Sequence, residues 1–310
     1  MREYAESRPI SDCSRFGWFS DFDVVIPASF NGKRAGSEAP PFEEDSMTGR
    51  VHVTVENATA TVVIDNADRR NAVSFTVFEE LGSAISDLAC SPDVRVVILS
   101  GQGIDFSVGA DLAAPAGSRT LRGDSTVTDT ARLRQVCATL HRFHHLPQVT
   151  IAAIDGACAG AGLSLAAAAD FRIASERAVF NTAFLNAGLS GDLGGVWLIT
   201  RMLGGARARE LFLTPGKLTA QAALDLGLVT AVTGAGALHD EARSLAQRLA
   251  ASAPLALRAM KQNLLQTSTT SLSDYLLAET DRMVQCFHSD DAREAADAFV
   301  NKRRPAFTGH

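Results

Sequence analysis

One carboxylate, Asp192, lies in a stretch of small and apolar residues, AGLSGDLGG, at positions 187–195. A carboxylate in apolar surroundings has a raised pKa and suits general acid–base chemistry. Aspartate is also a common N-cap, because its side chain accepts hydrogen bonds from the first amides of a helix. A helix is predicted to begin near residue 194, so the sequence leaves both a catalytic and a capping interpretation open.

Two segments rich in glycine and alanine follow predicted strands: GQGIDFSVGADL at 101–112 and DGACAGAGLSL at 155–165. Open α/β sheets bind ligands at the carboxyl ends of their strands. The second segment predicts a helix from Gly160, whose first amides, at residues 160–162, would suit an anion or an oxyanion. Close packing of a helix on a strand explains the same small residues. Neither segment has the spacing of a dinucleotide-binding or Walker motif.

Three histidines, His141, His144 and His145, lie at helical spacing in one predicted helix. Such spacing can hold zinc, but the sequence offers no clear further ligand. Pro147 follows at once, so the histidines lie in a last helical turn, where they interact favourably with the helix dipole. We therefore expect a structural role for them and no metal site.

The overall charge and the cysteines argue against several classes of protein. The 310 residues carry a net charge of −6, so we expect neither nucleic acid nor a membrane surface as a partner. Five cysteines without a CxxC pair indicate reduced intracellular thiols. The N-terminal stretch lacks the apolar segment of a secretory signal, and 151–169 is too weakly apolar to span a membrane. We therefore expect a cytoplasmic protein.

The sequence has two parts, an N-terminal extension without sustained periodicity and a longer part with regular periodicity. Residues 1–50 hold four of the ten prolines and show no sustained periodicity, which predicts a partly disordered N-terminal extension. From residue 51, VHVTVEN and ATVVID alternate as the strands of a hairpin do. Ser74 is positioned to cap a helix that runs to about Ala89. The apolar runs VRVVILSG, VTIAAIDG and FRIAS then predict buried strands between helices.

This alternation predicts an α/β fold with a largely parallel sheet, over residues 51–245. Helical periodicity dominates after about 194. The predicted helices span 194–203, 205–213, 218–225, 236–251, 254–266, 271–286 and 289–301. We therefore expect residues 246–310 to form a helical C-terminal region that mediates oligomerisation.

Four segments, in this order along the chain, resemble the enoyl-CoA hydratase/isomerase (crotonase) superfamily. They are DNADRRNAVS (65–74), VRVVILSGQGIDFSVGADL (94–112), IAAIDGACAGAGLSLAAAADFRIAS (151–175) and GGARARELFLTPGKLTAQAALDLGLVTAV (204–232). The resemblance implies a ββα spiral core, homotrimers that can pair into hexamers, and acyl-CoA thioester substrates. Coenzyme A is then part of the substrate, and no separate cofactor is expected.

The resemblance also implies an oxyanion hole made by two backbone amides, which its motifs place at Val108 and Ala161. Two fixed amide donors stabilise the enolate-like oxygen of a thioester. The residues expected to contact substrate are Arg69, Ala110, Asp111, Gly160, Ser164 and Phe184. Asp111 is further expected to hold its loop by accepting hydrogen bonds. Arg69, Arg70, Lys302, Arg303 and Arg304 are candidates for binding the CoA phosphates, although such charges are usually solvated.

Hydratases of this superfamily use two glutamates, and the corresponding positions here hold Ser164 and Phe184. Asp192 occupies a position at which some isomerases and dehalogenases of the superfamily place a catalytic aspartate. One carboxylate suffices to move a double bond, because it can remove a proton from one carbon and return it to another. The sequence therefore favours an enoyl-CoA isomerase. The alternatives are a hydratase, a C–C bond hydrolase, or a non-catalytic protein that binds acyl-CoA.

Overall fold

The computed structural model describes residues 49–111, 125–234, 236–267 and 269–310. The predicted N-terminal extension therefore lies outside the described residues, except for its last two. The described chain has a mixed α/β fold that begins with strands and ends with helices. The predicted α/β core followed by a helical region is confirmed.

Six strands of the described chain form the main sheet. In spatial order they are β1 (Arg50–Glu56), β2 (Thr59–Asp65), β3 (Val96–Gly101), β4 (Val149–Ile154), β6 (Phe171–Ser175) and β9 (Ala231–Thr233). β1 and β2 form the predicted antiparallel hairpin, and the remaining neighbours are parallel. Three short strands form a second sheet: β5 (Ala157–Ala159), β7 (Val179–Asn181) and β8 (Leu218–Thr219).

The described helices agree closely with the sequence periodicity. They are α1 (Phe75–Ala89), α2 (Thr126–His144), α3 (Ala161–Ala167), α4 (Gly195–Leu213), α5 (Ala220–Leu226), α6 (Leu238–Ala250), α7 (Pro254–Gln266), α8 (Leu272–Phe287) and α9 (Asp290–Val300). Ser74 caps α1 as predicted, since its hydroxyl accepts from the Val77 amide at 3.3 Å. α4 contains both helices predicted over 194–213, with a kink at Gly204, where φ is 79°.

The helix predicted over 218–225 is wrong at its start. Leu218 and Thr219 form β8, which pairs with β7, and α5 begins at Ala220. The Thr219 side chain accepts from the Ala222 amide, so this residue ends the strand and caps the helix. A two-residue strand is too short to show a periodicity of its own, which is why the sequence does not reveal it.

Alternating strand residues fill two cores on opposite faces of the main sheet. Val97, Leu99, Ala152 and Ile154 point into the larger core, which also contains residues of α1, α2 and α3. The intervening residues Val96, Ile98, Ile151 and Ile173 face α6. That helix presents Ala242, Ala246 and Ala250 on one stripe, so its backbone can lie close to the sheet. Burial on both faces is typical of parallel strands.

Three connections meet at the carboxyl edge of the main sheet. They follow β2 (residues 66–74), β3 (residues 102–111) and β4 (residues 155–160). Two isolated bridges join them in parallel, one between Val73 and Ala110 and one between Ser107 and Cys158. The fold therefore brings both glycine-rich segments singled out in the sequence to one place.

Two further findings concern the cysteines and membrane insertion. Among the described cysteines, Cys137, Cys158 and Cys286 are free thiols. Within the described ranges, no helix combines the length and the apolar character that crossing a membrane requires.

Gly162 allows α3 to pack on the loop that follows β3. A Cβ at this position would lie 2.6 Å from the Ser107 carbonyl oxygen and 2.7 Å from the Ser107 Cβ. We therefore expect Gly162→Ala to lower the free energy of unfolding by about 1–3 kcal/mol, because overpacking against backbone forces the two segments apart. Denaturant unfolding measures this change.

Gly216→Ala is the matched control. A Cβ there meets nothing within 4 Å, so its effect should stay within about 0.5 kcal/mol. Equal stability of the two variants would contradict the close packing of α3 on Ser107.

Candidate active site

The N-terminus of α3 presents an unbonded amide at the carboxyl edge of the sheet. Gly160 caps the helix with φ 51° and ψ −122°, and its own amide donates to the Asn181 carbonyl at 3.0 Å. No described residue accepts a hydrogen bond from the amide of Ala161, the first helical residue. Ala161 is buried, and buried amides are nearly always paired in folded proteins. This donor is therefore suited to an acceptor on a bound molecule.

The loop after β3 offers a second donor, at Ala110 rather than at Val108. The Val108 amide donates to the Arg70 carbonyl at 3.2 Å. The Asp111 amide donates to the Val73 carbonyl, also at 3.2 Å, and no described residue accepts from the Ala110 amide between them. We therefore correct the expected second donor from Val108 to Ala110, because the Val108 amide is already bonded within the protein.

Gly109 brings the two unbonded amides together. Its φ is 93°, and a Cβ built on it would lie 2.7 Å from the Ala159 carbonyl oxygen and 3.2 Å from the Ala161 nitrogen. Ala110 follows Gly109 directly. Standard backbone dimensions then place the Ala110 and Ala161 nitrogens within about 7 Å of each other, on neighbouring segments at one edge of the sheet.

Asp192 lies in a turn of unusual backbone conformation. Gly191, Leu193 and Gly194 all have positive φ, at 108°, 49° and 66°. This conformation costs Leu193 about 1–2 kcal/mol, which its burial in the larger core offsets. The turn thereby fixes the orientation of the backbone on both sides of the Asp192 carboxylate.

The structure tests whether the Asp192 side chain caps α4. The N-cap of α4 is Gly194, and no side chain caps this helix. The Asp192 backbone carbonyl accepts from the Gly195 amide at 3.0 Å, but one carboxylate oxygen, Oδ1, is buried without a hydrogen-bond partner. The capping interpretation is wrong, because the helix begins after Asp192 without using its side chain.

Burial dominates the electrostatics of Asp192. Removal from water raises the pKa of this carboxyl to about 6, and no opposite charge among the described residues counters the effect. Cys137 on α2 is a neighbour: burial raises the pKa of its thiol, and the Asp192 charge adds to the rise. A carboxyl with a pKa near the working pH is suited to both accepting and donating a proton.

Ser164 and Phe184 lie close to Gly160, at the start of α3, and neither is an acid. The Ser164 hydroxyl is buried and lies 3.3 Å from both the Gly160 and the Asp192 carbonyl oxygens. Phe184 is also buried, and its ring stacks on Phe212 with centroids 6.5 Å apart. Ser164 thus supports the Asp192 turn, and Phe184 contributes an apolar wall.

The arginines expected near CoA are held by aspartates. Arg69 donates from Nη2 to Asp111 at 2.6 Å, so Asp111 holds its loop through an ion pair as well as through its backbone. Arg70 donates from Nε to Asp105 at 2.7 Å. Their contact with CoA stays a prediction, because a guanidinium has five N–H donors and these bonds leave others available.

One of the basic residues near the C-terminus, Arg303, is also held by acidic side chains. Arg303 donates to both Glu294 oxygens, at 2.5 and 2.7 Å, and to Asp297 at 2.6 Å. This arrangement ties the end of the chain back to α9. Lys302 and Arg304 are exposed, and their expected role with CoA phosphates stays a prediction.

The histidines of α2 bind neighbouring backbone. His144 Nδ1 lies 2.9 Å from the Ala168 carbonyl, and His145 Nδ1 lies 2.9 Å from the His141 carbonyl. Burial lowers the pKa of His141 to about 4, with His145 and His144 adding to the effect. Over the described part of the chain, no group of three or more histidine, cysteine or acidic side chains could hold a metal ion.

Comparison with known proteins identifies the family. The family model described as enoyl-CoA hydratase/isomerase matches residues 54–310. This chain belongs to the enoyl-CoA hydratase/isomerase family. The chain is also similar to an enoyl-CoA hydratase of known structure from Polaromonas sp. JS666, with a TM-score of 0.79 and 33% identity, covering 84% of this chain and 100% of that one. The predicted crotonase-like fold is confirmed.

Several curated relatives are named as isomerases. The trans-2-decenoyl-[acyl-carrier-protein] isomerase of Streptococcus mutans is 33% identical over 257 residues, covering 82% of this chain and 96% of the relative. The peroxisomal Δ3,5-Δ2,4-dienoyl-CoA isomerase of Arabidopsis thaliana is 33% identical over 256 residues, covering 79% and 91%. Enzymes of both reaction types, isomerases and hydratases, therefore resemble this family member.

The sequence did not single out two polar residues that connect the site's loops. Asp105 bonds both to Arg70 and to the Ala157 amide. Asn71 is fully buried with φ 55°, and its amide group donates to the carbonyls of Gln102 and Asp105. An asparagine between an arginine and an alanine in a predicted turn is a weak signal, because it shows neither the positive φ nor the burial.

The raised pKa of Asp192 predicts a stability difference that depends on pH. Folding favours the protonated carboxyl, so its contribution is present below about pH 4 and is lost as the pH rises through about 6. We therefore expect Asp192→Asn to increase the free energy of unfolding by about 1–3 kcal/mol at pH 8 and by much less at pH 4. Denaturant unfolding at both pH values tests this.

Asp93→Asn serves as the control, because Asp93 is exposed and should show no such pattern. A variant Asp192→Asn that is less stable than the wild type at pH 8 would contradict a costly buried charge at this position.

Proposed function

We propose that this protein is an isomerase that moves a carbon–carbon double bond along an acyl-CoA thioester. The observation that carries the proposal is the Asp192 carboxylate, which is largely buried and has one oxygen without a hydrogen-bond partner. Ser164 and Phe184 occupy the two positions at which the hydratases use glutamates. With neither glutamate present, Asp192 is the carboxyl proposed for proton transfer, and an isomerisation needs one such group.

In this proposal the amides of Ala110 and Ala161 bind the thioester carbonyl oxygen. As a proton leaves the carbon next to the carbonyl, or the carbon conjugated with it, negative charge moves onto that oxygen. Both donors are fixed in advance by their bonded neighbours, so no reorganisation is needed when the charge develops. Each such donor is typically worth about 3 kcal/mol of activation free energy.

Asp192 would act as base and then as acid. For a β,γ-unsaturated thioester, the carboxylate removes one proton from Cα, and the C–H electron pair forms a dienolate that extends over the double bond. The resulting carboxylic acid returns that proton to Cγ, which leaves the double bond between Cα and Cβ. Atoms and charge balance without water or a redox partner, and a pKa of about 6 suits both halves of the transfer.

Hydration is the less favoured reaction because it demands a second group. A water molecule must lose a proton as it attacks Cβ, while Cα gains one. Ser164 is a weak base, and its hydroxyl lies within hydrogen-bond distance of two carbonyl oxygens. Phe184 has no ionisable group. Relatives named as isomerases support the same choice, and the dienoyl-CoA isomerase among them supports CoA as the carrier.

Asp192→Asn should abolish most of the isomerisation. We expect kcat for a β,γ-enoyl-CoA to fall about 10²–10⁴-fold, because the amide cannot accept the substrate proton. The assay combines product mass with deuterium incorporation in heavy water. Unchanged mass indicates isomerisation, and a gain of one water indicates hydration, which would contradict the proposal.

The pH dependence and a control complete this test. We expect kcat/KM of the wild type to fall about tenfold per pH unit below about pH 6, where Asp192 becomes protonated. Asp93→Asn should retain wild-type turnover. Exchange or turnover that survives in Asp192→Asn would refute the role of Asp192, and binding of enoyl-CoA esters without any turnover would favour a non-catalytic protein.

We also propose that the chain assembles with copies of itself through α8. Its exposed apolar residues lie on one side of the helix and comprise Leu272, Leu276, Leu277, Met283, Val284 and Phe287. The opposite side of the helix contacts α7, where Arg282 donates to Gln262 and Asn263. This surface is apolar and carries no charge along its length. It therefore suits contact with a second copy of the chain better than binding of an anionic partner. Trimers or hexamers are the assemblies that the family resemblance implies.

Leu276→Glu combined with Met283→Glu should shift the protein to a smaller assembly, because two buried charges at an apolar interface are costly. Light scattering after size-exclusion chromatography measures the mass. Gln285→Glu is the matched control, since it adds a charge on the other side of the same helix. An unchanged mass of the double variant would contradict an interface at α8.

A further inference from the structure

Asp105 is a nearly buried carboxylate that joins three segments of the chain. Its Oδ2 accepts from Arg70 Nε at 2.7 Å, and its Oδ1 accepts from Arg70 Nη2 at 3.2 Å. The same Oδ1 accepts from the Ala157 amide at 2.6 Å. Asp105 itself belongs to the loop that leads to Ala110. Its side chain therefore connects this loop to the turn after β2 and to β5.

The Ala157 contact bears directly on the Ala161 amide. β5 begins at Ala157 and leads through Gly160 into Ala161. The backbone adds a short ladder in the same register: the Ser107 amide donates to the Ala157 carbonyl, and the Ala159 amide donates to the Ser107 carbonyl, both at 3.0 Å. The carboxylate thus fixes the end of a ladder that has few bonds of its own.

The Arg70 contact bears on the Ala110 amide. The Arg70 guanidinium binds the loop at Asp105, and the Arg70 carbonyl accepts from the Val108 amide at 3.2 Å. One residue therefore holds two points of the loop that ends at Ala110. Opposite charge near a buried carboxylate favours its ionised form, and the hydrogen bonds from Arg70 and Ala157 hold the pKa of Asp105 below its usual value despite burial.

Two glycines make room for this arrangement. A Cβ on Gly156 would lie 2.5 Å from Asp105 Oδ1 and 2.1 Å from the Ile104 carbonyl oxygen. A Cβ on Gly101 would lie 2.3 Å from the Asp105 carbonyl oxygen. The backbone around Asp105 is therefore packed as closely as glycine allows, and a displaced carboxylate has no vacant position to occupy.

We propose that Asp105 is a positioning residue, whose carboxylate, bonded to Arg70 and to the Ala157 amide, sets the separation of the Ala110 and Ala161 amides. This inference rests on the proposed use of those two amides. It assigns Asp105 no contact with substrate. If the separation of the two donors changes by about 1 Å, their hydrogen bonds to the developing oxyanion weaken. The rate then falls by up to about 10²-fold.

Asp105→Asn and Arg70→Met are the test variants. The first substitution replaces one carboxylate acceptor with an amide group, and the second removes the cation, so both loosen the connection without removing either donor amide. For Asp105→Asn we expect kcat to fall about 10–100-fold with KM changed less than about threefold, and for Arg70→Met we expect a similar fall in kcat. The carbonyl stretching frequency of a bound ¹³C-labelled thioester should move toward its value in water, and Arg70→Lys should recover part of kcat by restoring the charge.

Asp170→Asn is the matched control for a purely structural loss. Asp170 binds Lys261 at 2.7 Å and the Thr150 amide at 2.7 Å, before β6 and at the opposite edge of the main sheet. We expect this variant to lose stability while its folded form keeps kcat and the wild-type carbonyl frequency. Unfolding measurements set a temperature at which all variants are folded.

Hydrogen exchange measured without substrate tests the role of Asp105 independently of the proposed reaction. In Asp105→Asn we expect faster exchange in peptides that cover 104–111 and 156–163, and no such change in Asp170→Asn. Wild-type exchange in both peptides, or wild-type kcat and carbonyl frequency in folded Asp105→Asn, would overturn the positioning role. Absence of isomerisation in the wild type would refute the reaction instead, and the exchange result would still decide the role of Asp105.

Discussion

The amides of Ala110 and Ala161 have no acceptor among the described residues, and the rest of the proposed site depends on this constraint. Around Ala110 and Ala161, the amides of Val108, Asp111 and Gly160 are all committed to carbonyls. These bonds hold the backbone still, so the two remaining donors keep their place without being paired. An unpaired buried amide is costly, and a rigid surrounding is what prevents the chain from relaxing to satisfy it.

Asp192 is held under the same kind of constraint. The turn around it has positive φ at Leu193, and one carboxylate oxygen lies buried without a partner. Each feature raises the free energy of the folded state, and the packing of Leu193 in the larger core offsets part of it. A strained turn that carries an unsatisfied acid is typical of a functional site, where stability is given up for a shifted pKa.

Local patterns predicted most of the fold. Helical periodicity placed α6 to α9 within one or two residues, because each helix has a long amphipathic pattern and α8 and α9 each follow a capping serine. The second sheet was missed, since β5, β7 and β8 have only two or three residues each. Such strands form because the main sheet places them side by side, and their own residues carry no distinguishable pattern.

Residue types at fixed spacing along the chain were enough to predict the family and the order of the longer elements, and to single out Asp192. Only the folded chain shows which amides are free. A glycine-rich loop offers several candidate donors, and the partners that other segments supply show that Val108 is bonded while Ala110 is not. The fold also shows that Gly194 precedes α4 as its cap and that Asp105 connects three segments. These facts depend on contacts between residues tens of positions apart, which no local pattern records.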